Sequence, residues 1–344
     1  MHDDLITTTR DVKIDLTRGT QYDRLVNEEI EHYSAIDVTN DLLEGGIFTH
    51  DCWSFYFQYL ARTLFHTSFD EEVAAHANQI ECPRILSLGC GYGGHELSIA
   101  AKLRKPFELI AVDLNPKLFG EAERRAQNTG LHIKFIKTDL NFISVPAVSF
   151  DLIYAHASLH HILNLEHLFA QIHQGLKDNG RLIVLDIIGK SQVLFWKENV
   201  EFAADTIKRM PLRYRPTVGK VLSSASMSLS RARFVLRYLR FDPYSIIPKY
   251  VEPAVQVGME GIRQEEIEPL ILQRFTPLKL FKYNAFMRMI CTNPYFGSRL
   301  HPEIRKDRKY LAKLIELDNQ QIASGKLRPT EMFGVFKKTS DAVS

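Results

Sequence analysis

Short apolar runs alternate with helix-period patterns through the middle third of this 344-residue chain. Apolar runs over 85–88, 107–112, 132–137, 150–155 and 181–185 predict five strands. Between them, apolar positions at helical spacing predict helices over 96–103, 116–128 and about 159–176, and Asp178-Asn179-Gly180 predicts a turn. Because the strands are continuously apolar and alternate with helices, the pattern predicts an α/β fold with a doubly wound parallel sheet.

The segments on either side of this core have different patterns. Residues 12–78 are mostly helical in pattern, with a break at 44–46. After the fifth strand, about ninety residues precede the next convincing strand, 278–283. A helix over 307–323 and a last strand over 332–336 follow. We therefore divide the chain into a helical N-terminal cap (1–80), a core (81–190), a helical lid insertion (191–265) and a completion of the core sheet (266–344).

Composition excludes several classes of protein. No stretch approaches the ~20 apolar residues of a transmembrane helix. The N-terminus begins Met1-His2-Asp3-Asp4 and lacks the layout of a secretory signal. The four cysteines are scattered and form no CxxC pair or zinc-type spacing, so we expect reduced thiols and a cytoplasmic setting.

Charge is distributed unevenly along the chain, although the formal net charge is only +2. Residues 1–80 hold 5 basic and 15 acidic side chains, residues 81–189 hold 11 of each, and residues 190–344 hold 27 basic and 15 acidic. The stretch 208–240 has nine Lys and Arg residues and no acidic one, and Arg233 and Arg237 lie in an amphipathic part of it. Such a face binds an anionic small substrate, an anionic membrane or a nucleic acid, or packs against the acidic first third.

A glycine-rich segment, Gly89-Cys90-Gly91-Tyr92-Gly93-Gly94, lies directly between the first core strand and a helix. Glycines allow the backbone to approach a ligand closely, and a helix N-terminus favours anionic groups. Asp113 ends the second core strand, 24 residues after Gly89, where a carboxylate can accept hydrogen bonds from ribose hydroxyls. Together they predict a nucleoside or nucleotide site at the carboxyl edge of the sheet.

Five segments in order resemble the motifs of class I S-adenosylmethionine-dependent methyltransferases. They are 84–94, 109–116, 135–140, 150–161 and 176–184. The resemblance covers roughly 82–190, and the last two predicted strands resemble the terminal antiparallel pair of the family. It implies a Rossmann-like seven-stranded sheet, S-adenosylmethionine as cofactor and S-adenosylhomocysteine as product.

The same resemblance implies which residues hold the cofactor. The glycine segment would wrap the methionine half, Asp113 would bind the ribose, and Asp139 would pair with the adenine amino group. The full expected set is Ser87, Gly89, Cys90, Gly91, Gly93, Asp113, Leu114, Asp139, Leu140 and Ala155. Ser87 departs from the family pattern, which usually has an acid there, so either cofactor affinity is lower or another acid substitutes.

Two histidines at the end of the fourth core strand are candidates for proton removal from the methyl acceptor. His156 follows that strand directly and His160 lies four residues later, at the edge where the methyl group should point. The alternative is that they only pack or cap the next helix. A metal bound by this pair would need a third ligand, and the sequence identifies none, so we expect no metal site.

The combined interpretation is methyl transfer to an oxygen or nitrogen atom of a small, anionic or lipid-like molecule, with carbon left open as the acceptor. By the placement of N-terminal helices in the family, Tyr33 and Trp53 would wall the substrate pocket, with Arg233 and Arg237 as further substrate contacts. One alternative is a methyltransferase of RNA or protein that uses the basic insertion as a platform. Another is a non-catalytic, cofactor-binding partner subunit. We expect a small-molecule partner and no stable nucleic-acid complex; peripheral membrane contact and the oligomeric state stay open.

Overall fold

The computed structural model describes residues 5–7, 13–15, 19–35, 51–214, 257–293 and 296–339. Its nine strands are β1 (Leu5–Thr7), β2 (Lys13–Asp15), β3 (Arg84–Leu88), β4 (Glu108–Asp113), β5 (Ile133–Lys137), β6 (Phe150–His156), β7 (Leu176–Ile187), β8 (Phe275–Tyr283) and β9 (Glu331–Lys338). β1 and β2 form a separate antiparallel pair, and the other seven form one sheet.

The seven-stranded sheet has the order β5-β4-β3-β6-β7-β9-β8. β3 to β7 are parallel, and β9 runs antiparallel to both of its neighbours, β7 and β8. The order reverses between β3 and β6, and in doubly wound sheets such a reversal creates a ligand-binding crevice at the carboxyl edge. The predicted doubly wound sheet and its terminal antiparallel pair are thereby confirmed.

Ten α-helices lie among the described residues. They are α1 (Thr20–Ala35), α2 (Asp51–Thr63), α3 (Phe69–Ala77), α4 (Gly94–Ala100), α5 (Phe119–Thr129), α6 (Leu165–Gly175), α7 (Lys197–Arg209), α8 (Ile267–Arg274), α9 (Met287–Cys291) and α10 (Arg305–Ala323). Short 3-10 turns cover Pro116–Leu118, Leu159–His161, Leu212–Tyr214, Gln264–Glu266 and Gly297–Arg299. None of the helices in these ranges is long and apolar enough to cross a membrane.

The core has one apolar layer on each face of the sheet, because continuously apolar parallel strands bury both sets of alternating side chains. Ile85 and Leu109 point into the layer that contains α2, α9 and α10. Leu86 and Ile110, one position further along each strand, point into the layer that contains α6 and α8. The N-terminal helices and the C-terminal helices therefore share one core with the sheet.

Three predicted local features differ from the structure. The predicted turn Asp178-Asn179-Gly180 lies inside β7, where Phe150 pairs with Leu176 and Leu152 pairs with Arg181, so the extra residues form an irregularity within one strand. His156 ends a strand, and His160 lies in the 3-10 turn Leu159–His161, so the two do not share one helix. Most of the predicted lid, including Arg233 and Arg237, lies outside the described residues.

A buried carboxyl connects the C-terminal helix α10 to the segment before α9. Asp318 accepts hydrogen bonds from the backbone N–H groups of Ala285 (3.1 Å) and Phe286 (2.8 Å), and it is fully buried. Burial raises the pKa of this carboxyl to about 7, since the charged form is poorly solvated there.

We expect Asp318 to make stability depend on pH. Its pKa is higher in the folded than in the unfolded chain, so its contribution is fully present below about pH 4 and is lost as the pH rises to about 7. The Asp318→Asn variant should lack this loss, which amounts to at most about 4 kcal/mol in the free energy of unfolding. Urea unfolding of both proteins from pH 4.5 to 8 measures the difference, and parallel profiles would contradict the prediction.

Candidate active site

The glycine loop after β3 is shaped by positive backbone φ angles and by close packing. Gly89 has φ +71°, and a Cβ there would lie 2.4 Å from the Cβ of Ser158. Gly93 has φ +70°, and a Cβ there would lie 2.8 Å from the Cβ of Ala122. A Cβ at Gly91, with φ +50°, would meet no atom within 4 Å. Gly89 and Gly93 are therefore required by packing, whereas Gly91 faces open space.

A buried carboxylate lies beneath this loop. Ser87 donates a hydrogen bond to Glu96 Oε1 at 2.6 Å, and Tyr154 donates to the same oxygen at 3.1 Å. Burial raises the pKa of Glu96, which is 2% exposed. Glu96 thus supplies, from α4, the acid that Ser87 lacks, and sequence reasoning did not identify it. Ser87 itself is 1% exposed and does not line a cavity, contrary to our expectation of a cofactor contact.

The first cavity lies at the carboxyl edge of β3, β4 and β5. Gly89, Gly91, Asp113, Leu114, Asp139 and Leu140 all line it. Asp113 Oδ2 accepts a hydrogen bond from the Gly91 N–H at 2.8 Å, and its Oδ1 accepts one from the Asn115 N–H at 2.9 Å. The Asp113 carboxylate therefore connects the loop after β3 to the loop after β4, and burial raises its pKa.

A second carboxylate in this cavity anchors the N-terminal helix α1. Tyr22 donates to Asp139 Oδ2 at 2.6 Å, and the Asn141 N–H donates to Asp139 Oδ1 at 3.0 Å. The other predicted cofactor residues do not line the cavity. Cys90 is buried, with its thiol pKa raised by that burial; Gly93 packs against α5; Ala155 lies in the core.

The second cavity adjoins the first, since Tyr33, Ala157 and His161 line both. It encloses about 630 Å³, within the range of small-molecule sites. One wall is aromatic and consists of Trp53, Phe57, Phe65 and Phe69. The remaining wall carries ionisable side chains, namely Asp70, His95, His156, His160, His161, Asp186, Glu260, Arg288 and Glu331. The two predicted wall residues, Tyr33 and Trp53, thus both line this cavity.

His156 lies in the wall of the second cavity as a neutral base. Its ring centroid is 3.7 Å from that of His95, whose Nδ1 lies 2.7 Å from Asp70 Oδ1. Burial and the neighbouring His95 lower the pKa of His156 to about 3. The ring therefore stays unprotonated at neutral pH and can accept a hydrogen bond.

His160 is held between two carboxylates. Its Nδ1 lies 2.6 Å from Asp186 Oδ1, and its Nε2 lies 3.6 Å from Glu260 Oε1. Burial lowers the pKa of His160, but Asp186 and Glu260 outweigh that effect and raise it to about 10. A ring that already carries its proton cannot accept another, so the prediction of His160 as a second base is wrong.

His161 and Glu260 complete a cluster that the sequence did not reveal. His161 Nδ1 lies 2.6 Å from Glu29 Oε1, and His161 Nε2 lies 3.3 Å from Glu260 Oε2. Tyr33 donates a hydrogen bond to Glu260 Oε2 at 2.8 Å. Burial opposes ionisation of Glu260, but the contact with His160 holds its pKa well below the usual range. No local motif signals Glu29 or Glu260, because each lies about 100 or more residues from the histidines.

Comparison with known proteins assigns the core. A family model for a methyltransferase domain matches residues 85–180. A ubiquinone/menaquinone biosynthesis C-methyltransferase of Marinomonas sp. (strain MWYL1) is 23% identical over 209 residues, 60% of this chain and 72% of that protein. Phosphoethanolamine N-methyltransferase 1 of Arabidopsis thaliana is 28% identical over 103 residues, 30% of this chain and 21% of that protein. A sterol 4-C-methyltransferase of Caenorhabditis elegans is 30% identical over 161 residues, 46% of each chain.

Two glycine substitutions should separate packing from backbone strain. Gly89→Ala and Gly91→Ala both place an alanine at positive φ, which costs about 1 kcal/mol or more in the free energy of unfolding. Gly89→Ala should cost about 1–3 kcal/mol more, because its Cβ would overlap Ser158. Chemical unfolding of the two variants tests this, and equal losses would show that the contact with Ser158 relaxes without cost.

Proposed function

We propose that this protein, a class I S-adenosylmethionine-dependent methyltransferase, methylates a small molecule with an apolar, ring-bearing body that binds in the second cavity. The supporting observation is the junction of the two cavities at Tyr33, Ala157 and His161. A cofactor in the first cavity and an acceptor in the second would face each other across this junction.

The residues of the first cavity fit the cofactor. The glycine loop offers open space beside Gly91 for the methionine half. The carboxylates of Asp113 and Asp139, at the ends of adjacent strands β4 and β5, would accept hydrogen bonds from the ribose hydroxyls and the adenine amino group. Leu114 and Leu140 provide apolar contacts for the adenine ring.

The cofactor supplies a methyl group already activated on a sulfonium centre, so the protein chiefly has to align the acceptor with it. The aromatic wall of the second cavity excludes water and orients an apolar body. His156, neutral at physiological pH, would accept a hydrogen bond from the acceptor and receive its proton where the acceptor is an oxygen or nitrogen. A carbon acceptor is compatible with the same arrangement.

The acceptor class is inferred from the cavity rather than from any one relative. The relatives are named for quinone precursors, phosphoethanolamine and sterols, so they differ in acceptor. Trp53, Phe57, Phe65 and Phe69 form a continuous aromatic surface, which favours a ring-bearing molecule of the quinone or sterol kind over a small amine. The ionisable side chains of the remaining wall would bind its polar substituent.

Asp113 provides a direct test of the cofactor assignment. We expect Asp113→Asn to weaken S-adenosylhomocysteine binding about 10- to 100-fold, since hydrogen bonds to a charged group are lost. The wild type should also prefer S-adenosylhomocysteine to its 2′-deoxy analogue, and the variant should not. Isothermal titration calorimetry with both ligands measures this.

The matched control is Asp151→Asn, because Asp151 also accepts a backbone N–H, from Arg84 at 2.9 Å, but lies outside both cavities. It should bind S-adenosylhomocysteine as the wild type does. Unchanged discrimination in Asp113→Asn would contradict the ribose assignment.

Isotopic labelling tests the acceptor class. Protein, S-adenosylmethionine with a deuterated methyl group and a cell extract should yield a labelled product in the small-molecule fraction, found by mass spectrometry. Label confined to RNA or protein would overturn the proposal and favour the basic stretch 208–240 as a macromolecule platform.

Two variants on α2 then locate the acceptor. Phe57 lines the second cavity and Phe55 does not, and both are partly buried on the same helix. Phe57→Ala should raise KM for the identified acceptor at least about tenfold, whereas Phe55→Ala should leave it unchanged. Equal effects would show that the acceptor binds elsewhere.

A further inference from the structure

We propose that His160, His161 and Glu260 form a binding site for a divalent transition-metal cation where the two cavities meet. Each would contribute one ligand atom: Nε2 from each histidine and a carboxylate oxygen from Glu260. These three atoms lie within 4.8 Å of one another.

The spacing of these atoms fits a common coordination sphere. His160 Nε2 lies 3.6 Å from Glu260 Oε1, and His161 Nε2 lies 3.3 Å from Glu260 Oε2. Ligands about 2.1 Å from a tetrahedral zinc ion are separated by about 3.4 Å. A cation could therefore bind with only small side-chain shifts, and it would replace the proton on His160.

Each histidine is oriented by a carboxylate on its other nitrogen. His160 Nδ1 lies 2.6 Å from Asp186 Oδ1, and His161 Nδ1 lies 2.6 Å from Glu29 Oε1. Such carboxylate partners fix the ring tautomer and direct Nε2 to a metal in many metal sites. The arrangement occurs twice here, and both Nε2 atoms point to the same carboxylate.

The carboxylates are themselves fixed by the backbone. Asp186 Oδ2 accepts hydrogen bonds from the N–H groups of Ser158 (3.0 Å) and Leu159 (2.7 Å). Glu29 Oε2 accepts one from the Met259 N–H at 2.8 Å. The outer groups are therefore rigid, and a preorganised site loses little entropy on binding a cation.

Electrostatics favour a cation at this position. Glu29, Asp186 and Glu260 bring three carboxylates around two imidazoles, and Asp186 is 1% exposed. Buried carboxylates need nearby positive charge, because they are poorly solvated. A doubly charged cation with two neutral imidazoles would leave one excess negative charge, while one protonated imidazole leaves two.

The chain contains an internal comparison. Asp51, His301 and Glu303 also bring three potential ligand atoms within 4.8 Å, but all three residues are exposed. Such a group is solvated without a metal, so we expect it to bind a cation only weakly. Histidine and carboxylate ligands suit Zn²⁺ and Co²⁺, and Co²⁺ serves as the spectroscopic probe.

A cation here would face the second cavity, which His160, His161 and Glu260 all line. Only three protein ligands are available among the described residues, so a coordination position would remain for an acceptor oxygen. This orienting role rests on the proposed function, but the existence of the site does not.

The test is a Co²⁺ titration of the full chain after treatment with a chelator, with neither cofactor nor acceptor present. We expect one Co²⁺ per chain with visible ligand-field absorption, displaced by Zn²⁺. Glu260→Gln and His161→Ala should abolish this signal. Asp186→Asn should weaken binding about 10- to 100-fold through loss of the outer carboxylate. His301→Ala should have no effect, and circular dichroism checks that each variant folds.

Absence of Co²⁺ binding in the wild type would overturn the proposal. So would binding that survives Glu260→Gln, or binding that His301→Ala abolishes, since the latter would place the ion in the exposed cluster. Because the titration contains neither S-adenosylmethionine nor acceptor, its failure is distinguishable from a failure of the proposed methyl transfer.

Discussion

The site depends on one buried carboxylate, Asp186, at the carboxyl end of β7. It accepts backbone N–H groups from Ser158 and Leu159 and pairs with His160, so it fixes the turn that separates the two cavities. Ser158 in turn donates to the Leu88 carbonyl at 2.7 Å and packs on Gly89. Burial opposes ionisation of Asp186, yet the charge of His160 and these backbone donors hold its pKa below the usual range. A single charge thus couples the glycine loop to the acceptor side.

The uneven charge along the sequence is partly resolved by contacts between the first and last thirds. Glu72 on α3 pairs with Lys279 on β8 at 2.7 Å, and Tyr33 on α1 donates to Glu260. These contacts place the N-terminal helices over the carboxyl edge of the sheet, as a cover for both cavities requires. The arginine-rich stretch lies almost wholly outside the described residues, so the acidic first third has partners that do not involve it.

The cofactor side could be predicted from the sequence because its signals are local. Gly91, Asp113 and Asp139 each directly follow or end a continuous apolar strand, and the carboxyl ends of parallel strands meet at one edge. The acceptor side could not, because Glu29 and Glu260 reach His161 from segments 132 and 99 residues away in the chain. The turn at Asp178-Asn179-Gly180 was misassigned because strand pairing with β6 outweighs the turn preference of those residues.

The return of the chain to the site after residue 256 follows from packing rather than from any motif. Gly258 has φ +54°, and a Cβ there would lie 2.3 Å from Glu29 Oε2, so only glycine allows this segment to approach α1 so closely. Arg263, which is buried, donates to the Leu163 carbonyl at 2.7 Å and to Glu166 Oε2 at 2.8 Å. These contacts hold Glu260 against the histidines independently of the glycine loop and Asp113. Because the two sides of the site are built from separate segments, acceptor specificity can change by substitution in α2 or near Glu260 while the cofactor cavity stays intact.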